Sequence, residues 1–194
     1  MANPLVVKIG GSLFERSSRI LDLLRSEGCR ALIVPGGGRF ADLARECKVT
    51  EDAAHWMAIL GMEQFGWYLA SYGIATTYSL KIPENLSILL PYLILRKEDP
   101  LPHSWDVTSD TIAGWVAWRL GLDLLVLKHV DGIHLNGTLL KSIDHPVPTD
   151  DVDPSFIQYV ISKKVRAFVV NGTLDERIIS AVRGLPTTGT TIGF

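Results

Sequence analysis

Short runs of apolar residues alternate along the chain with longer stretches in which apolar residues recur every three or four positions. Short runs are typical of strands buried on both faces of a parallel sheet, and the longer spacing is typical of amphipathic helices. The predicted strands are 5–9, 31–34, 75–80, 87–95, 122–127, 166–170 and 189–192, and the predicted helices are 19–28, 50–72, 109–120, 156–164 and 174–183. Because the two kinds of element alternate, we expect an α/β three-layer sandwich with a mainly parallel central sheet.

The stretch 105–132 combines a capped helix, a turn, an apolar strand and a glycine turn in that order. Thr108 is a favourable N-cap, and Asp110 lies in the first helical turn, where the helix dipole favours an anion. Lys128 follows the apolar strand 122–127 directly. Ligands of open α/β sheets bind at the carboxyl ends of the strands, so we expect the functional site at this edge.

Glycine-rich turns follow the first two predicted strands. After the first strand, which carries Lys8, come Gly10, Gly11 and Ser12, and after the second come Gly36, Gly37, Gly38 and Arg39. Paired glycines let backbone N–H groups approach an anion closely, and an arginine can pair with a phosphate or a carboxylate. Each turn alone is equally compatible with an ordinary strand-to-helix connection, and Arg39 with a solvated side chain. Two such turns within forty residues favour an anion-binding site.

Size and composition limit the function classes. The chain has 194 residues, of which 47% are hydrophobic and 21% charged, and this fits one domain over 1–194. A net charge of −2 gives no basic excess that would favour nucleic acid. No apolar run approaches the roughly 20 residues of a membrane span, and no signal peptide is indicated. Two cysteines without metal-ligand spacing fit a cytoplasmic protein.

The predicted helix 50–72 is apolar on nearly every side. A helix of this kind is buried in a core or lies in an interface between chains. We therefore expect a homo-oligomer in which this helix contributes at least part of the contact.

The segment 133–153 is predicted to hold a hairpin and an acidic loop. Asn136 and Gly137 are a hairpin-turn signal. The aspartates of 144–153 indicate a divalent-cation site only weakly, and Asp153 followed by Pro154 is explained more simply as the start of the helix 156–164.

Six segments together resemble the amino acid kinase family, which also contains bacterial uridylate kinases. They are 8–12 (KIGGS), 36–38 (GGG), 109–113 (SDTIA), 130–133 (VDGI), 171–172 (NG) and 189–192 (GTTI), and they occur in the family order along the whole chain. The resemblance implies the fold stated above and the transfer of a phosphoryl group from ATP.

The resemblance also implies a role for each part of the site. Lys8 would contact the transferring phosphoryl group, and Asp110 would orient the catalytic lysines. The nucleotide would be held by Gly10, Gly11, Ser12, Lys128, Asp131, Gly132, His134 and Asn136, and the acceptor by Gly36, Gly37, Gly38, Arg39, Asp106 and Thr108. Mg²⁺ would be held mostly by phosphates and water, so no protein ligand is assigned to it.

One feature departs from the family pattern. Many members carry a second catalytic lysine before the penultimate helix, whereas 148–156 contains no lysine. We expect Lys128 to supply this cation with Asp110 holding it in place. The alternative is that Lys128 is a solvated lysine in a loop that frames the nucleotide.

The acceptor is left open among several classes. The short length and the segments 34–42 and 54–58 resemble a narrower group that includes the kinase of methanofuran biosynthesis, whose acceptor is an aminomethyl-furanmethanol phosphate that becomes a diphosphate. Within the family a nucleoside monophosphate, an isoprenoid phosphate or a carboxylate would also serve. In another class, the chain would bind ATP or oxyanions without catalysis. Retention of both Lys8 and Asp110 favours an enzyme.

Overall fold

A computed structural model describes residues 3–193. The strands are β1 (Leu5–Ile9), β2 (Ala31–Pro35), β3 (Ala75–Thr77), β4 (Ser87–Leu89), β5 (Asp123–Lys128), β6 (Ile133–Leu135), β7 (Thr138–Leu140), β8 (Ser142–Ile143), β9 (Ala167–Asn171) and β10 (Thr190–Ile192). The helices are α1 (Ser17–Ser26), α2 (Gly38–Glu46), α3 (Glu51–Ala70), α4 (Tyr92–Glu98), α5 (Ser109–Leu120), α6 (Phe156–Ser162) and α7 (Asp175–Val182), and a 3₁₀ helix spans Gly11–Arg16.

Eight strands form one sheet in the order β3-β4-β2-β1-β5-β9-β10-β8. All neighbouring pairs are parallel except β9 and β10, which run antiparallel. β6 and β7 form the separate hairpin predicted around Asn136 and Gly137, whose positive φ angles suit a tight turn. The predicted α/β fold with a mainly parallel sheet is therefore confirmed.

Alternate residues of the central strands point into two different cores. Val6 of β1 packs with α5 and α6, whereas Val7 packs with α1 and α7. Because side chains alternate across a strand, an apolar run such as LVVKI buries both faces of the sheet. Helices therefore cover the sheet on both sides, as expected for three layers.

The prediction of a strand over 87–95 is wrong beyond Leu89. Pro91 cannot donate a ladder hydrogen bond, and the chain turns there into α4. The backbone N–H of Tyr92 donates instead to the carboxylate of Glu63 in α3, at 2.8 Å. The strand predicted over 75–80 also ends early, at Thr77.

α3 spans Glu51–Ala70, within the predicted 50–72, and Thr50 caps it by accepting a hydrogen bond from the Ala53 N–H. Much of its apolar surface packs within its own chain. A Cβ added to Gly61 would lie 2.8 Å from the backbone of Phe40, so α2 and α3 are in close contact. Trp67, 53% exposed, remains on the outer face. Within residues 3–193, no helix has the combination of length and apolarity that crossing a membrane requires.

Candidate active site

Two adjacent parallel strands bring two lysines to one edge of the sheet. β1 and β5 are paired so that Lys8 lies opposite Val126, and Lys128 is the last residue of β5. α5 precedes β5 and places Asp110, in its first turn, at the same edge. Asp110 and Lys128 therefore belong to one helix–strand unit that lies next to β1.

The carboxylate of Asp110 contacts both ammonium groups. Lys8 Nζ lies 2.6 Å from Asp110 Oδ1, and Lys128 Nζ lies 2.9 Å from Oδ2. The side chains of Lys8 and Asp110 are 4% exposed, and that of Lys128 is 15% exposed. Two lysines thus share Asp110 in a nearly dry place, and with both lysines protonated these three groups together carry one excess positive charge. Such an excess favours an anionic ligand.

The ionisation of this cluster reflects burial and mutual attraction. Burial alone would raise the pKa of Asp110, but Lys8 and Lys128 outweigh it and lower that pKa to about 2. Burial lowers the pKa of Lys8, Asp110 opposes the shift and Lys128 adds to it. Asp110 is therefore a carboxylate at neutral pH.

The expectation that Asp153 begins the helix 156–164 is wrong, since its side chain caps α5 instead. Its carboxylate accepts hydrogen bonds from the backbone N–H and hydroxyl of Thr108 and from the same two groups of Thr111. The Asp153 N–H donates to Asp110 Oδ2 at 3.2 Å. Burial and the nearby Asp110 raise the pKa of Asp153. Asp153 thus fixes the helix start that carries Asp110.

The two glycine turns are in backbone contact. A Cβ added to Gly11 would overlap the backbone of Gly38, and one added to Gly36 would lie 2.7 Å from the Gly11 nitrogen. Gly38 has φ +50°, a conformation that glycine adopts without strain. Hydrogen bonds fix both turns to the sheet, from Gly10 N–H to Leu127 O at 3.0 Å and from Gly36 N–H to Ile9 O at 2.9 Å.

A cavity of about 240 Å³ opens beside the lysines and the glycine turns. Nine residues predicted for the site line it, namely Lys8, Gly10, Gly11, Ser12, Gly37, Gly38, Thr108, Asp110 and Lys128. Its further lining includes polar and aromatic groups that were not assigned to the site from the sequence, namely Arg45, Glu51, His55, Ser104, Ser109 and His129. Trp105, just before α5, also lines the cavity, and His129 Nδ1 lies 3.2 Å from the Ser12 hydroxyl.

Three residues predicted to hold the acceptor do not line this cavity. Arg39 lies over the ring of Phe14 and pairs with Glu15 at 2.8 Å on the surface. The Gly36 N–H is used in the sheet, and Asp106 is exposed. Among the predicted acceptor residues within 3–193, those that line the cavity are Gly37, Gly38 and Thr108.

The residues predicted to frame the nucleotide beyond Lys128 lie outside the cavity, on the segment between β5 and β7. Asp131 accepts hydrogen bonds from Asn171 at 2.7 Å and Arg177 at 2.5 Å, and these bonds lower its pKa. His134 donates its N–H to Asp151 at 2.7 Å. Gly132 follows Asp131 directly, and Asn136 is in the hairpin turn. This segment is therefore ordered by its own contacts, beside the strand end that carries Lys128.

Comparison with known proteins assigns the chain to a family. The model of the amino acid kinase family matches residues 3–171. The chain belongs to this family. The [5-(aminomethyl)furan-3-yl]methyl phosphate kinase of Methanocaldococcus jannaschii is 30% identical to this chain, over 92% of this chain and 93% of that one. The protein is therefore a small-molecule kinase, which confirms the enzyme class predicted from the sequence.

Solved structures with low sequence identity share the fold of this kinase. The uridylate kinase of Archaeoglobus fulgidus superposes with a TM-score of 0.74 at 17% identity, and each chain is covered completely. The UMP kinase of Bacillus anthracis has a TM-score of 0.73 at 16% identity, over 99% of this chain and 96% of that one. An isopentenyl phosphate kinase has a TM-score of 0.65 at 14% identity, over 97% and 100%. At these identities the likeness concerns the fold alone.

Proposed function

We propose that this kinase transfers the γ-phosphoryl group of ATP to a small acceptor that already carries a phosphate. The observation that carries the proposal is the pair of lysines that share Asp110 beside two facing glycine turns. Phosphoryl transfer requires mainly positioning and cationic charge over the spreading negative charge of the transition state. Donor and acceptor phosphates would meet where the glycine turns touch.

The residues present fit ATP and an acceptor phosphate. The first strand–glycine turn has glycines without a Cβ, and α2 begins at Gly38, which lines the same cavity. The ammonium groups of Lys8 and Lys128 each contact one oxygen of Asp110, and each ammonium group has three N–H donors. Donors therefore remain for phosphate oxygens. Mg²⁺ bound to the phosphates would neutralise their charge and align them.

In the proposed reaction an oxygen of the acceptor phosphate forms a bond to the γ-phosphorus, and the bond from this phosphorus to the β–γ bridging oxygen breaks. ADP leaves with that oxygen, and the product is a diphosphate. Lys8 and Lys128 would stabilise the charge on the transferring group. Asp110 touches neither phosphate in this proposal, and it positions the two ammonium groups.

The proposed acceptor is [5-(aminomethyl)furan-3-yl]methyl phosphate, the compound in the name of the archaeal relative. The relative is aligned over nearly the whole of both chains, which supports a shared acceptor. The cavity also offers the flat Trp105 side chain, against which a furan ring would pack.

Two further expectations belong to this proposal. The segment from Asp131 to Asn136 would border the nucleotide, because it follows the strand end at which Lys128 lies. We also propose a cytoplasmic homo-oligomer that covers the outer face of α3, where Leu60 and Trp67 are exposed. Sedimentation of a monomer at micromolar concentration would contradict the oligomer.

The test is an ADP-release assay with Mg-ATP over phosphomonoesters, nucleoside monophosphates and carboxylates. We expect turnover with the aminomethyl-furan phosphate and little with aspartate or glutamate. Rapid phosphorylation of carboxylates without turnover of phosphomonoesters would refute the proposed acceptor class. Product diphosphate would be identified by ³¹P NMR, since ADP release alone does not separate transfer from ATP hydrolysis.

A further inference from the structure

Charged groups are unevenly paired around the cavity. Of its lining residues, all within the part of the chain that the structure describes, two are acidic, Asp110 and Glu51. Asp110 is engaged by two lysines, whereas Glu51 makes no hydrogen bond or ion pair with another described residue. Glu51 is exposed, and a helix start tolerates a carboxylate, so its position alone does not imply a ligand. Its location relative to the phosphate site adds the second argument.

Glu51 lies at a definite distance from the glycine turns along α3. A Cβ added to Gly37 would lie 3.9 Å from the carbonyl oxygen of Ala58, so Ala58 is level with the turn. Glu51 precedes Ala58 by seven residues, and at 1.5 Å per residue this places it about 10 Å farther along the helix. Glu51 and Ala58 both line the cavity. The Glu51 carboxylate therefore lies at the end of the cavity away from the glycine turns, which we call the outer end.

The other polar groups at the outer end do not replace this carboxylate. Arg45 lies over the ring of Trp105 and pairs with Asp42 at 3.0 Å, and as a cation it cannot itself bind a cationic group. His55 packs against other rings, and burial lowers its pKa to about 4, so it is neutral at physiological pH. A ligand that reaches this end meets Trp105, whose ring is partly covered by Arg45, and the Glu51 carboxylate, which has no partner among the described residues.

We propose that Glu51 determines acceptor specificity by binding a cationic group at the end of the acceptor remote from its phosphate. The inference rests on the proposed function and names the substrate class of that same site, a phosphomonoester with a terminal ammonium. In the proposed acceptor, two methylene groups and a furan ring separate phosphorus from nitrogen by roughly 7 Å at ordinary bond lengths. The phosphorus–nitrogen distance is thus about 3 Å shorter than the roughly 10 Å between Glu51 and Ala58 along α3, and the glutamate side chain is long enough to cover this difference.

The test compares two acceptors that differ only in charge, [5-(aminomethyl)furan-3-yl]methyl phosphate and its analogue in which a hydroxyl replaces the amine. Wild-type protein is expected to prefer the ammonium compound in kcat/KM by roughly twofold to fivefold, the range for a solvent-exposed ion pair, because Glu51 is exposed. Glu51→Gln should remove this preference, mainly through KM, and leave the neutral analogue nearly unchanged. Glu46→Gln, which removes an exposed carboxylate of α2 outside the cavity, should retain the preference.

Each other outcome overturns the inference. Equal use of both acceptors by the wild type would refute a cation site while the proposed function stands. An unchanged preference in Glu51→Gln would assign the recognition to another residue. An equal loss of kcat/KM with both acceptors in Glu51→Gln would show that Glu51 stabilises the shape of the cavity and does not recognise the charge of the acceptor. If no phosphomonoester is turned over at all, the proposed function fails as well, and the two failures are thus distinguishable.

Discussion

Replacing Lys128 with methionine tests the proposal that this residue supplies the second catalytic cation. Methionine keeps much of the apolar stem and removes the ammonium that lies 2.9 Å from Asp110 Oδ2. Lys8 remains in contact with the other oxygen at 2.6 Å, so Asp110 is not left without a partner. The variant is therefore expected to fold, and the site loses one positive charge.

The size of the effect follows from the position of the lost charge. Two unit charges about 4 Å apart interact by roughly 4 kcal/mol at an effective dielectric constant of 20. Only the part of this energy that is stronger in the transition state lowers the barrier. The Lys128 side chain is also 15% exposed, so water weakens the interaction. We expect the activation free energy to rise by about 2–3 kcal/mol, which corresponds to roughly a 30- to 160-fold loss of kcat.

Steady-state kinetics at saturating ATP and acceptor measure this loss, with Lys97→Met, an exposed lysine of α4, as the matched control. The control should retain wild-type kcat, and both variants should retain the wild-type melting temperature within a few degrees. A Lys128→Met enzyme with intact kcat and a raised KM for ATP would refute the transition-state role. Lys128 would then be a residue that only frames the nucleotide.

Three further predictions concern the scaffold of the site. Asp153→Ala removes the acceptor of four hydrogen bonds at the start of α5. In urea titrations it should lower the free energy of unfolding by about 2–4 kcal/mol. A decrease below about 0.5 kcal/mol would contradict the capping role. Gly11→Ala forces a Cβ into the Gly38 backbone and should lower the melting temperature by several degrees and abolish ADP release; near-normal values for both would argue against the close approach. The pKa of Asp110 is lowered from 3.8 to about 2, so its charge stabilises the folded protein above about pH 4, and this stabilisation is lost as the pH falls through about 2. In an acid titration, the free energy of unfolding of Asp110→Asn should therefore fall less over this range than that of the wild type.

Much of the fold was predictable because it depends on local patterns. The apolar run 5–9 buries both faces of a strand, and Thr50 before an apolar stretch marks a helix start, and both occur as predicted. The glycine turns and the contact of Asp110 with Lys8 and Lys128 also lie at one sheet edge, as the alternation of strands and helices implies. Parallel strands place their carboxyl ends together whatever the loops contain.

Features that depend on contacts between distant residues were not predictable. Asp153 has the local sequence of a helix start, yet its carboxylate caps α5, whose Thr111 is 42 positions away. The turn of the chain into α4 uses Glu63 as a partner for Tyr92. Glu51 reads as an ordinary helix-start acid, and only the packing of α3 against α2 shows that it lines the cavity. A local pattern cannot specify which surface of a helix faces a ligand.

The register of the sheet supports the proposal that Lys128 supplies the second catalytic cation. Lys8 lies opposite Val126, and Lys128 is two residues farther along the neighbouring strand, so both side chains project from the same sheet face, one beyond the other. A two-residue advance along a strand is roughly 7 Å, a separation that one carboxylate between the two ammonium groups can bridge. Asp110 does so because Asp153 fixes the first turn of α5. If Lys128 acts as the second catalytic cation, as proposed, the site requires no lysine in the segment 148–156, which contains none.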